Sequence, residues 1–192
     1  MRIYTKAGDR GETALIGGQK LSKAHPRIAT YGGVDELNSQ LGVCRALDAA
    51  LDPPRFSAML ATIQDDLFVV GSDLAARESD ALDESRINFL RIQPARVEWL
   101  EAQIDPLEEL VGPFKYFVIP GGTLLAAQLH VARCVCRRVE REVVALSEVE
   151  PISPTIVIYL NRLSDLLFIM ARAVNHYSAV PDIPWRGKAG WS

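Results

Sequence analysis

The stretch from Ile156 to Val174, IVIYLNRLSDLLFIMARAV, decides the fold. Ile156, Leu160, Leu163, Leu167, Met170 and Val174 recur every three or four residues, which places them on one face of an α-helix. Pro151 and Pro154 break the chain before it. Upstream, the same period appears four more times. Leu125, Leu129, Ala132, Cys136, Val139 and Val143 mark a long helix, with Thr123 placed to cap its first turn. Val97, Leu100, Ile104 and Leu107 mark another. Phe56, Leu60, Ile63, Leu67, Val70 and Leu74 form a stripe after Pro53-Pro54. Val34, Leu37, Leu41 and Cys44 mark the first helix, which begins near Pro26 because proline is tolerated in a first helical turn. Five amphipathic helices without alternating strands predict an all-α, five-helix bundle.

The segments between these helices carry other signals. Residues 1–25 are glycine-rich, charged and without period, and predict an irregular N-terminal segment that could wrap a ligand. Residues 76–92 predict a charged loop. Tyr116 to Ile119 predicts a short extended approach, ended by Pro120-Gly121-Gly122, and the tail from Pro181 to Ser192 has no period. Gly32 and Gly33 each weaken the first helix by about 1 kcal/mol relative to alanine, a cost that close backbone packing would explain. The expected organisation is a single domain over 1–192: a loop at 1–25, the bundle at 26–178 and a tail at 179–192.

The chain has 192 residues, 48% hydrophobic and 23% charged, ordinary for a folded protein. Its net charge of −3 gives no global attraction to nucleic acid, and no nucleic-acid partner is expected. Positive charge is concentrated at Arg2, Lys6, Arg10, Lys20, Lys23 and Arg27, and again at Arg133, Arg137, Arg138 and Arg141, which suggests a local anion site or solvated surface. Cys44, Cys134 and Cys136 fit free thiols in a reducing compartment. No apolar signal-peptide core is present at the N-terminus, and the longest uncharged stretch, Tyr116 to Ala132, is interrupted by Pro120-Gly121-Gly122. A cytoplasmic protein without a membrane span is expected.

Four constellations could carry chemistry. Thr5-Lys6-Ala7-Gly8-Asp9-Arg10-Gly11-Glu12-Thr13, with Lys23, offers close-approaching backbone N–H groups, hydroxyls and ammonium groups to phosphate. It lacks the spacing of a P-loop, and a merely turn-rich N-terminus fits it equally. Arg133, Arg137 and Arg141 lie four residues apart on one helical face, beside Arg138 and Glu140. Guanidinium groups bind phosphate through directed hydrogen bonds; a solvated face with weak ion pairs is the plainer reading. Asp35 could pair with an arginine or be an exposed first-turn acid. Asn161 could read a nucleotide or make a structural hydrogen bond. His25, His130 and His176 have no metal-ligand spacing, so no protein-held metal is expected, and no nucleophile signature is present.

Together these segments resemble the PduO-type family of ATP:cob(I)alamin adenosyltransferases. The resemblance rests on Tyr4-Thr5-Lys6-Ala7-Gly8-Asp9-Arg10-Gly11, Val34-Asp35-Glu36-Leu37-Asn38-Ser39, Ala132 to Arg141, Tyr159-Leu160-Asn161-Arg162-Leu163-Ser164-Asp165 and Asp182-Ile183-Pro184-Trp185. It runs in order nearly end to end, with residues 76–115 least diagnostic. Ala7 stands where many relatives carry threonine.

The resemblance implies a homotrimer with ATP between subunits. ATP would meet Thr5, Lys6, Ala7, Gly8, Thr13 and Lys23 from one subunit, and Arg137, Arg138, Glu140, Arg141 and Asn161 from the next. Asp35 and Arg133 would bridge subunits, and Phe117 would press on the corrin ring and exclude a lower axial ligand from cobalt. The implied reaction is attack of cob(I)alamin on C5′ of ATP, with Mg²⁺ on the phosphates and triphosphate leaving. Implied partners are a flavin-dependent reductase and an adenosylcobalamin-dependent client enzyme. The same bundle could instead serve as a non-catalytic ATP or cobalamin regulator, an adenosylcobalamin delivery protein, or a purely structural oligomer.

Overall fold

The computed structural model describes residues 3–4, 6–76, 91–113 and 116–187. Its described helices are α1 (Pro26–Ala49), α2 (Ser57–Ala75), α3 (Pro94–Val111), α4 (Leu124–Ser147) and α5 (Pro154–Tyr177). They form a helical bundle. α1 packs between α2 and α4, and α5 between α4 and α3. Every residue of the five predicted stripes is buried. The charged loop expected at 76–92 lies mostly outside the described residues.

α5 keeps an exposed face at Ile158, Asn161 and Asp165 but is buried from Ile169 to Asn175, and Leu163, Leu166, Leu167, Met170 and Ala171 are inaccessible to solvent. By length and composition alone it could cross a membrane, with a mean hydropathy of 1.3 over its best window. Its burial between α3 and α4 explains that composition, as expected of a core helix. Gly33 explains itself through packing: a β-carbon there would lie 2.9 Å from Val139 and 3.0 Å from Glu142. Gly32 has open space around it, so close packing does not account for it.

Buried polar groups lock the helix ends. Arg27, 1% exposed, ion-pairs with Glu150 at 2.8 Å and donates to the Leu74 carbonyl at 2.7 Å. This joins the start of α1 to the ends of α2 and α4. Asp48 accepts from the Phe56 N–H at 2.9 Å and the Ser57 hydroxyl at 2.7 Å, placing an anion at the start of α2 where the helix dipole favours it. In the core, Asp66 of α2 accepts from Arg96 of α3 at 2.8 Å and from the Tyr159 hydroxyl of α5 at 3.0 Å.

Two segments expected to be irregular contain small sheets. β1 (Glu12–Ala14) and β2 (Lys20–Ser22) form an antiparallel hairpin in the N-terminal segment. Three-residue strands are too short to show a period, but Leu15 is buried and the Ile16 N–H donates to the Ala75 carbonyl, which fixes the hairpin to the end of α2. β3 (Val118–Ile119), the expected extended segment, pairs with β4 (Ile183–Pro184) of the tail.

Candidate functional site

The N-terminal segment builds an anion-sized hollow of about 310 Å³ lined by Ala7, Gly8, Glu12, Thr13, Ala14, Lys20 and Lys23. Lys6 holds a left-handed backbone (φ 61°), a conformation that side chains rarely adopt. The Asp9 and Gly11 N–H groups donate back to the Lys6 and Gly8 carbonyls. A β-carbon at Gly8 would come within 2.9 Å of the Lys23 ammonium, so glycine lets that charge lie against the backbone. Lys23 is held there by its own N–H, which donates to the Gly11 carbonyl at 2.8 Å. Thr5 lies outside the described residues.

The second cationic group lies on α4. Arg137 and Arg141 are exposed, and among the described residues neither has an ion pair. Beside them Asn161 of α5 donates to Glu140 at 3.0 Å, bringing together two of the predicted contacts. Arg138 is engaged differently: it ion-pairs with Glu142 at 2.7 Å and with Glu36 of α1, which holds the α1–α4 crossing. Arg133 is half-buried; its Nε is buried without a partner, and an Nη reaches the Cys134 sulfur at 3.4 Å. Asp35 is exposed on α1, lining a separate hollow with Tyr31, Asn38, Leu67 and Phe68. No ion pair joins it to Arg133 within the chain among the described residues.

Phe117 stands out from the fold, 75% exposed. Its ring meets Trp185 edge-on at 6.3 Å, and its carbonyl accepts the Trp185 N–H at 2.7 Å. Nearby on α4, His130 is buried with Nδ1 unpartnered and packs against Phe168 at 6.0 Å. Burial, and then the charge of Arg133, push its pKa below the ordinary histidine value.

A family model described as Cobalamin adenosyltransferase matches residues 3–174. The chain belongs to the cobalamin adenosyltransferase family. Its relatives in that family include the corrinoid adenosyltransferase of Bacillus subtilis (strain 168), 41% identical over 195 residues that cover 98% of this chain and 94% of the relative. A corrinoid adenosyltransferase of Citrobacter freundii is 44% identical, covering 89% and 93% of the two chains. Among solved structures, a variant PduO-type ATP:corrinoid adenosyltransferase from Lactobacillus reuteri, complexed with cobalamin and ATP, superposes with a TM-score of 0.88 at 42% identity. That match covers 97% of this chain and all of the other (100%).

Sequence reasoning missed two of the groups that hold this cobalamin adenosyltransferase's Phe117 segment, Arg172 and Asn175, and quoted Trp185 only as part of the ending motif. Arg172 and Asn175 are buried polar residues within the apolar run of α5. That interruption was the available signal, but periodicity alone does not say what they hold.

Proposed function

We propose that the protein is an ATP:corrinoid adenosyltransferase, transferring the 5′-deoxyadenosyl group of ATP to Co(I) of a reduced corrinoid and releasing triphosphate. One observation carries the arrangement of the site. Among the described residues the two cationic groups expected to share one triphosphate are not joined in one hollow: the N-terminal hollow includes no α4 or α5 residue, and Arg137 and Arg141 are exposed. A homotrimer in which the hollow of one subunit faces α4 of the next would unite them. Different patches meeting head to tail close into a ring when the rotation between subunits closes, here after three copies. The chain would act as one domain, with 1–25 closing over ATP, 26–178 as the bundle and 179–192 as the tail.

In this reading Lys6, Lys23 and the backbone of Thr5 to Gly8 hold phosphates from one side, with Thr13 beside them. Arg137 and Arg141 hold them from the other and balance the charge that grows as triphosphate leaves. Arg138 would join them only by releasing Glu142 or Glu36. The Glu140–Asn161 pair would meet the nucleoside. Mg²⁺ would be carried mainly by the phosphates. Asp35 would find Arg133 across the interface, meeting the exposed part of its half-buried guanidinium.

Co(I) supplies the nucleophile as part of the substrate, so the protein need only align it with C5′ for in-line attack. Phe117, exposed and backed by Trp185, would cover the lower face of the corrin and keep an axial ligand from cobalt. A reductase and an adenosylcobalamin-dependent client enzyme complete the proposed setting, in the cytoplasm.

An anaerobic assay with cob(I)alamin, Mg²⁺ and ATP tests the reaction. Adenosylcobalamin and triphosphate should appear in equal amounts. ATP binding without either product would favour a regulator or delivery protein instead.

A further inference from the structure

We propose that Arg172, Asn175 and Asp182 form a positioning clamp that sets Phe117 against the corrinoid; this rests on the reading of Phe117 given above. None of the three touches substrate in this proposal. Each acts through the backbone that carries the aromatic side chain.

The geometry is specific. The chain between α3 and α4 leaves at Gly112 and returns at Thr123, with Phe117 between. Arg172 donates to the Gly112 carbonyl at 3.1 Å and the Val111 carbonyl at 3.4 Å, fixing the exit. At the return, Asn175 accepts from the Thr123 N–H at 3.0 Å and donates to the Gly121 carbonyl at 3.1 Å. Gly122 adopts φ +98°, and a β-carbon there would collide with the Asn175 amide. That turn therefore exists in the form the Asn175 side chain requires.

Both residues also bind one carboxylate. Arg172 donates to Asp182 Oδ2 at 2.8 Å and Asn175 donates to Asp182 Oδ1 at 3.4 Å. Asp182 immediately precedes β4, which pairs with β3, and three residues after Asp182 the Trp185 N–H holds the Phe117 carbonyl. One turn of α5 thus ties both ends of the Phe117 segment to the tail strand that backs it. Arg172 and Asn175 are 8% and 3% exposed, so these hydrogen bonds form away from competing water.

The test substitutes Asp182→Asn, which keeps the side-chain shape and removes the charge. Two readouts are made on the full-length protein. The first is amide exchange of Trp185 in the ligand-free protein. The second is the electron paramagnetic resonance signature of cob(II)alamin bound with ATP, which separates cobalt with and without a lower axial ligand. The clamp predicts about tenfold faster Trp185 exchange, equivalent to about 1.4 kcal/mol. It also predicts a matching loss of the ligand-free Co(II) signal and of kcat, with the KM for ATP unchanged. Asp182→Glu, which retains the carboxylate, should recover part of each.

Unchanged Trp185 exchange and an unchanged Co(II) signal in Asp182→Asn overturn the proposal. If the unsubstituted protein never yields Co(II) without a lower ligand, the corrinoid role of Phe117 fails, and the exchange measurement still decides whether the clamp exists. Should Asp182→Asn not fold, Asn175→Asp is read in the same two ways, because it keeps the acceptor for Thr123 and loses both donated bonds.

Discussion

The arginines fall into two groups that the sequence makes look alike. Arg27 and Arg172 are buried, and each binds a carboxylate together with backbone carbonyls. Arg137 and Arg141 stand outward on α4 with no ion pair among the described residues. A guanidinium whose donors are all engaged within the chain stabilises it and has little capacity left for a ligand. One left without a carboxylate on a packed helix has its fork available for phosphate. On the proposed reading function rests on the arginines that the fold leaves unengaged, and substitutions in the two groups should separate stability from activity.

The largest effect is expected in the buried group. Arg27→Ala removes the buried guanidinium that binds Glu150 and the Leu74 carbonyl and should cost about 3–5 kcal/mol in urea unfolding. Arg137→Ala should do the reverse. Its stability should stay within about 0.5 kcal/mol, as for an ordinary surface change, while kcat falls about 10²–10³-fold through lost charge stabilisation. A melting temperature lowered as far as that of Arg27→Ala would erase the distinction.

Arg133 lies between the groups, half-buried with Nε unpartnered, and sharpens the comparison. If Asp35 of a neighbouring subunit completes it, Asp35→Arg and Arg133→Asp should each reduce activity. The double swap should then recover at least about tenfold, a coupling of about 1.4 kcal/mol. Simple addition of the two losses would assign Arg133 to its own chain.

The smallest effect concerns His130, beside Arg133. Its folded pKa lies below the unfolded value, so the unfolded chain takes up the proton first as pH falls. Its contribution to stability is complete above about pH 6.5, the unfolded value, and is lost as pH drops through the folded one. His130→Gln should flatten that part of a pH series of thermal melts.

The bundle was legible because helix periodicity repeats over many residues. Ile156 to Val174 shows six core positions in one run, and a single misread residue would not change the reading. The hairpin at Glu12–Ala14 and Lys20–Ser22 was not legible, since three residues hold no period and its anchors, the burial of Leu15 and a backbone bond to Ala75, are contacts that only the fold creates. The β3–β4 pair joins segments far apart in the chain, which local pattern does not reveal. At the site, motif order pointed to Lys23, Arg137 and Asn161. The engagement of Arg138 with Glu142 and Glu36 was invisible, because helical spacing gives a face but not its neighbours. Asn175 was hidden for the same reason: its role depends on Gly122, a contact across 53 positions of sequence that only the fold creates.

The central claim is that each active site takes its cationic halves from two subunits. Co-expressing Lys23→Ala and Arg137→Ala chains tests it directly, each variant being nearly inactive alone. In mixed assemblies some sites receive an intact hollow from one chain and an intact α4 from the other. The account predicts that adenosylcobalamin formation returns well above the sum of the separate variants. Mixed assemblies no more active than that sum would place both halves of the site within one chain and contradict it.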